Sequence, residues 1–176
     1  MPLDTFVALQ KTIAFVAIAL LVVAAYSDIR TFKISNVLVL TIAALGIVRL
    51  ILLGDPIAAI YAIGVALFVF LIGLLLFSRG LVGAGDVKLL MATVLLIRYP
   101  DLLPFFLRMS IIGALLSVVI LVLRSYVPLF LGPRVGSYLT TIRAVPYGVA
   151  IAGAGIMTIL LQPLLFGYVV SFPSFL

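Results

Sequence analysis

Gly83-Ala84-Gly85-Asp86-Val87-Lys88-Leu89-Leu90 is a short polar interruption between two long apolar runs. Its continuation, Met91-Ala92-Thr93-Val94-Leu95-Leu96-Ile97, is hydrocarbon apart from one threonine, so Asp86 opens a segment that belongs in or near lipid. A carboxylate is costly there, and an ionisable residue in such a place is a functional candidate with a partner to be named. The partner offered by the sequence is Asp28, the other acid that closes an apolar run beside basic residues.

Working outward, the composition leaves little choice of class. The chain has 176 residues, of which 66% are hydrophobic and 9% charged, and its mean hydropathy is +1.50. Soluble domains do not have such a composition. Apolar runs of about 20 residues divide the chain into roughly six membrane-spanning helices with almost nothing left over. The expected fold is therefore all-α, a polytopic membrane helical bundle, with residues 1–176 forming one integral membrane domain. Cys, His and Glu are absent from the sequence. Disulfides and thiolate or imidazole metal sites are thereby excluded, and neither metal nor cofactor is expected.

The acids can be taken one by one. Asp4 is near the start, Asp55 sits in Gly54-Asp55-Pro56, and Asp101 follows Pro100. These three read as turn or terminus residues, where Asp bonds its own backbone and stays wet. Asp28 and Asp86 differ, each lying at the end of an apolar helix.

In chain order, the first helix is expected over residues 6–27. Val23-Ala24-Ala25 resembles a cleavage site for a secretory leader, but the basic flank is missing apart from Lys11 and further spans follow at once. A polar connection, residues 28–36, leads to a second helix over 37–53 with Asn36 as N-cap, ended by Gly54-Asp55-Pro56. The third helix is placed over 57–77. The fourth begins near Asp86 and ends near Pro100, about 21 Å long against a core of roughly 30 Å, which recesses its Asp86 end below the membrane surface. The fifth runs from 102 or 105 to 123. Residues 124–144, with Arg124, Arg134, Arg143, Pro128, Gly132 and Pro133, read as a connection along the interface. The sixth starts at Val145 or Pro146 and carries Gly148, Gly153 and Gly155, which permit close packing, until Pro163 kinks or ends it.

Orientation follows from the basic residues. With both termini outward, Arg30, Lys33, Arg79, Lys88, Arg124, Arg134 and Arg143 lie inside, and Lys11, Arg49, Arg98 and Arg108 lie nearer the outside. The asymmetry obeys the positive-inside rule and sets Asp28 and Asp86 on the cytoplasmic side. The basic loops read as topological and suit anionic lipid. Gly83-Ala84-Gly85 without a preceding strand is common turn chemistry and says nothing about nucleotide binding, and no nucleic-acid partner is expected.

Two aspartates at one site do not ionise together easily, so one keeps a proton while the other is charged. That state suits amide hydrolysis: the charged member takes a proton from an attacking water, and the protonated one donates to the carbonyl oxygen. Gly83 and Gly85 remove side chains beside Asp86, so an extended substrate backbone can approach it. The plain alternatives are an N-cap role for Asp86, an ion pair of Asp28 with Arg30 or Lys33, and a Lys88 that snorkels to the interface. Two other function classes are a small proton- or cation-coupled transporter using the two acids, and a noncatalytic assembly scaffold. A transporter needs polar groups along a path, and Thr93, Ser110, Ser117 and Thr158 are scattered.

Three segments together resemble the type IV prepilin peptidases and their archaeal preflagellin relatives, within the GxGD intramembrane aspartyl proteases. They are Asp28 with Ile34-Ser35-Asn36, Gly83-Ala84-Gly85-Asp86 with Lys88 and Leu89, and Pro146-Tyr147-Gly148. The resemblance implies Asp28 and Asp86 as the catalytic dyad. It implies Gly83, Gly85, Lys88, Asn36, Pro146, Tyr147 and Gly148 as residues that shape the site or contact substrate. Substrates would be pilin-like precursors, cut on the cytoplasmic face of the inner membrane after a short basic leader, at a Gly just before a hydrophobic helix. Ser35 stands where the family usually has Pro. The larger bifunctional members add a Cys-rich insertion and methylate the new N-terminus. The short connection after Asp28 and the absence of Cys exclude that insertion here, so the chain is similar to the compact, peptidase-only form serving tight-adherence (Flp) pili. A presenilin-like layout needs a longer chain.

Overall fold

The computed structural model describes residues 3–131 and 146–162. Among these the regular structure is helical: α1 (Leu3–Thr31), α2 (Asn36–Leu53), α3 (Pro56–Ser78), α4 (Ala84–Leu96), a 3-10 turn (Tyr99–Asp101), α5 (Leu102–Leu131) and α6 (Tyr147–Leu160). Four segments, residues 4–31, 36–53, 56–78 and 99–123, are long and apolar enough to cross a membrane. The fold is the expected all-α membrane bundle.

The short α4 is its centre. It packs against α2, α3 and α6, while α1 packs on α6 and α2, and α5 on α6. From Val87 to Leu96 it is buried on almost every side, with Leu89, Ala92, Thr93 and Val94 at 0% exposure. Lipid tails are as apolar as Leu, so helices in a bilayer associate through van der Waals fit, which small residues improve. Each neighbour of α4 supplies one glycine at the contact: Gly46 of α2 lies on Leu95, Gly73 of α3 on Val87, and Gly155 of α6 on Thr93 and Leu21. The outer faces of α3 and α5 present Phe68, Leu71, Leu107 and Leu115, the hydrocarbon surface expected toward acyl chains.

Helix ends follow local chemistry, with four departures from the sequence expectation. α1 runs past residue 27, so Asp28 belongs to its last turn and not to the connection; Phe32, at φ 52°, turns the chain out and donates its N–H to Asp28 O at 2.9 Å. The N-cap of α2 is Ser35, and Asn36 is the first helical residue. The N-cap of α4 is Gly83, which sets Asp86 in the first turn, not at the cap. α5 continues through Arg124 and Pro128 to Leu131. One arginine does not end a helix whose neighbours remain apolar, and proline removes a single backbone bond that the surroundings can tolerate.

The other ends agree with their sequence. Gly54, at φ 64°, closes α2, and Asp55 caps α3 by accepting from the N–H groups of Ile57 and Ala58 at 3.0 and 3.1 Å. α4 stops at Leu96, before the Tyr99–Asp101 turn that contains Pro100. Its 13 residues span about 20 Å, short of a roughly 30 Å hydrocarbon core. Residues 132–145, with Arg134, Arg143, Gly132 and Pro133, and residues 163–176, with Pro163, lie outside the described residues.

Candidate active site

The last turn of α1 and the first turns of α4 and α6 meet at one end of the bundle, and each contributes to one cleft of about 780 Å³. Asp28 and Asp86 both line it. They are near enough for the charge of Asp28 to act on Asp86. Asp28 is buried at 4% exposure and Asp86 is half-buried.

Backbone amides surround the pair. The N–H groups of Gly148 and Val149, in the first turn of α6, face the Asp28 carboxylate. Those of Gly83 and Gly148 face Asp86, so the Gly148 amide addresses both acids. The Gly148 amide is free for this because the first N–H groups of a helix have no intrahelical partner, whereas the Val149 N–H also donates to Pro146 O at 3.1 Å. Among the described residues no donor reaches Asp28 Oδ2 in full hydrogen-bonding geometry, which leaves it a buried acceptor.

Gly148 is where the acid and α6 come closest. A Cβ at this position would sit 2.6 Å from Asp28 Oδ2 and 3.0 Å from Ile34 Cδ1. Ile34 also covers Gly85, whose Cβ would meet it at 3.6 Å. One isoleucine thus wedges the entrance of α4 against that of α6. Gly83 lies beside its own acid, since a Cβ there would be 2.9 Å from Asp86 Oδ2.

The remaining expected residues divide by role. Lys88 Nζ donates to Asn36 Oδ1 at 3.0 Å, a link between α4 and α2 on the cleft wall. Tyr147 lines the cleft and is exposed. Pro146 is the N-cap of α6 and does not line the cleft. The plain reading of Asp28 as an ion-pair partner does not hold: Arg30 stands over the Tyr26 ring at 5.5 Å, and neither it nor Lys33 pairs with the acid.

Residues that sequence reasoning does not reach complete the site. Phe32, Leu81 and Val82 line the cleft, and Val149 contributes through its amide alone, which no side-chain motif can announce. A second cavity of about 850 Å³ adjoins the first and shares Leu81, Val82, Asp86 and Tyr147 with it. Its other walls come from α3, α4, α5 and α6 and are almost wholly apolar, including Phe68, Ile72, Leu90, Phe106 and Ile151. Asp86 therefore stands where a polar cleft opens into a hydrocarbon groove.

The fold and cleft define a membrane-embedded helical protein with two acids and a fan of backbone amides converging at one end. The chain belongs to the type IV leader peptidase family, whose model matches residues 15–118. That span contains Asp28, Asn36, Gly83, Gly85, Asp86 and Lys88, whereas Pro146, Tyr147 and Gly148 lie beyond it. No curated protein and no solved structure matches the chain. The protein is thus a membrane peptidase of this family.

Proposed function

We propose that the protein is an aspartyl endopeptidase that removes the short basic leader from type IV prepilin-like precursors at the cytoplasmic face of the inner membrane, without methylating the product. The observation that carries this reading is the convergence of Asp28 and Asp86 on one cleft beneath the amides of α6.

Two carboxyl groups in one site share a proton more readily than they both ionise. The ionised member takes a proton from water as the water oxygen bonds to the scissile carbonyl carbon, and the protonated member passes its proton to the carbonyl oxygen. The tetrahedral adduct then loses the amine, which leaves with a proton returned by the pair. A chain crossing the cleft in extended form passes Gly83, where no side chain but that of Asp86 itself stands near, whereas Gly85 is covered by Ile34 and serves the packing of the site.

The groove beside Asp86 suits the rest of such a substrate. A precursor with an apolar helix directly after the cut would lay that helix along the groove and its leader in the polar cleft. Lys33 and Lys88 on the cleft wall do not attract a basic leader, so affinity rests on the groove and the acids. The basic residues at this end, Arg30, Lys33, Arg79 and Lys88, favour a cytoplasmic orientation. A transport path finds little support: Thr93, Ser110 and Ser117 each donate to a carbonyl of their own helix, and Thr158 accepts from Arg108.

The test is co-expression with pilin-like precursors, following the leader by gel shift and N-terminal sequencing. Wild type should remove the leader, and Asp28→Asn or Asp86→Asn should lower cleavage at least about a thousandfold while the protein stays folded in the membrane. Normal cleavage by either variant would sink the dyad.

A further inference from the structure

At the opposite end of the bundle from the acids, three polar side chains are buried together. Gln10 of α1, Arg49 of α2 and Gln162, just beyond α6, are 5%, 5% and 6% exposed. They line one small cavity of about 20 Å³ whose remaining wall is Lys11 and aliphatic side chains such as Ile13, Leu96 and Ile159. Gln10 Nε2, Arg49 Nη2 and Gln162 Nε2 are each buried with no hydrogen-bond partner among the described residues.

Each of these three nitrogens is a donor, and one carries a formal charge. A buried donor without an acceptor is costly, and a buried cation without a counter-charge more so. The side-chain charges that act on Arg49 are Arg98 first and Asp101 second, so the one nearby acid is offset by another cation. Lys11 adds positive charge to the wall. The three unpaired groups call for a guest that accepts hydrogen bonds and is negative.

Size narrows the class. One water needs roughly 10–15 Å³ of such space, so about 20 Å³ admits a single small particle and excludes phosphate, a carboxylate or a lipid headgroup. Water fits by volume, but it brings two O–H groups to three unpaired N–H donors and no charge to match Arg49. We propose that this cavity binds one monatomic anion, chloride in the cell, held by Gln10, Arg49 and Gln162. The bound ion ties α1, α2 and the end of α6 together at the end remote from the carboxylates, and the inference is independent of the peptidase chemistry.

The experiment uses the full-length protein purified in detergent. Thermal unfolding is followed by far-UV circular dichroism as sodium chloride replaces sodium gluconate at constant ionic strength, and again with bromide. The expected result is a rise in Tm that saturates with chloride and with bromide, with a half-saturating concentration about tenfold higher in Gln10→Leu, the loss of one hydrogen bond to a charge. The rise should be absent in Arg49→Met. Where Arg49→Met fails to fold, Gln10→Leu and Gln162→Leu carry the comparison, and anomalous diffraction from bromide-grown crystals locates the ion directly. Equal Tm in chloride and gluconate would overturn the proposal, leaving a water or a turned glutamine amide as the acceptor for Arg49. So would a chloride effect that is unchanged in the variants, or bromide-grown crystals without a peak between the three side chains.

Discussion

Replacing Gly148 by alanine tests whether the α6 entrance sets the position of Asp28. The added Cβ would lie 2.6 Å from Asp28 Oδ2 and 2.9 Å from its Cγ, whereas ordinary contact begins near 3.4 Å, so acid and helix must part by about 0.8 Å. The carboxylate has no easy retreat, because Asp28 is buried at 4% exposure and Ile34 Cδ1 stands 3.0 Å from the same Cβ. Overpacking of this kind costs roughly 1–3 kcal/mol in stability. Displacing a reacting group by about 1 Å costs on the order of 100-fold in rate. Cleavage of a prepilin-like precursor by purified Gly148→Ala should thus fall roughly 100-fold in kcat/KM, with a modest loss of thermal stability. Gly153→Ala, on the same helix, is the control: its Cβ would meet Ile112 Cδ1 at 3.5 Å, an ordinary contact, and activity should be unchanged. Wild-type cleavage by Gly148→Ala, or equal losses in both variants, would refute the idea that α6 fixes the acid.

Three further outcomes follow from side-chain contacts. Asp55→Ala removes both hydrogen bonds that cap α3 and should lower stability by about 1 kcal/mol, read by thermal unfolding, with cleavage unaffected because the cap is not on the cleft. Lys88→Met and Asn36→Leu remove the two ends of one bond between α4 and α2. A double-mutant cycle on stability should return a coupling of about 0.5–1 kcal/mol, at the low end because both residues are exposed, and additivity would deny the link. Thr158→Val deprives Arg108 Nη1 of an acceptor at 2.9 Å between α5 and α6, and should destabilise by about 1–3 kcal/mol where a surface threonine would cost almost nothing.

Much of the bundle is written in local pattern, and the parts that are not depend on who packs against whom. The Gly83-to-Leu90 stretch marks the start of α4, and Pro100 marks the limit beyond its end, so the short central helix is legible without coordinates. Asp55 announces its cap through Gly54-Asp55-Pro56. Asp28 is harder: Arg30 and Lys33 after it read as a loop, yet the helix continues to Thr31 with Arg30 on its exposed side, and only Lys33 lies in the connection. Asn36 looks like a cap by residue type, but Ser35 has the extended backbone a cap needs and Asn36 is bonded to Lys88 across the cleft. Arg49 is the clearest limit. Counting charges places it at the end remote from the acids, and only tertiary packing buries it between two glutamines more than a hundred residues apart in the chain.

The brevity of α4 also governs which proteins meet these acids at all. Its 13 residues leave it about 10 Å short of a bilayer core, and on the proposed reading this sets the Asp86 end several ångströms below the headgroups. A loop of a folded cytosolic protein gains nothing by descending there, because each peptide unit it strips of water needs a new hydrogen-bond partner. A chain already anchored by an apolar segment presents its flanking residues at that level without further expense. Immersion depth would thereby screen the proteome before any side chain is read, and a hydrolase with an open cleft could remain harmless to its host.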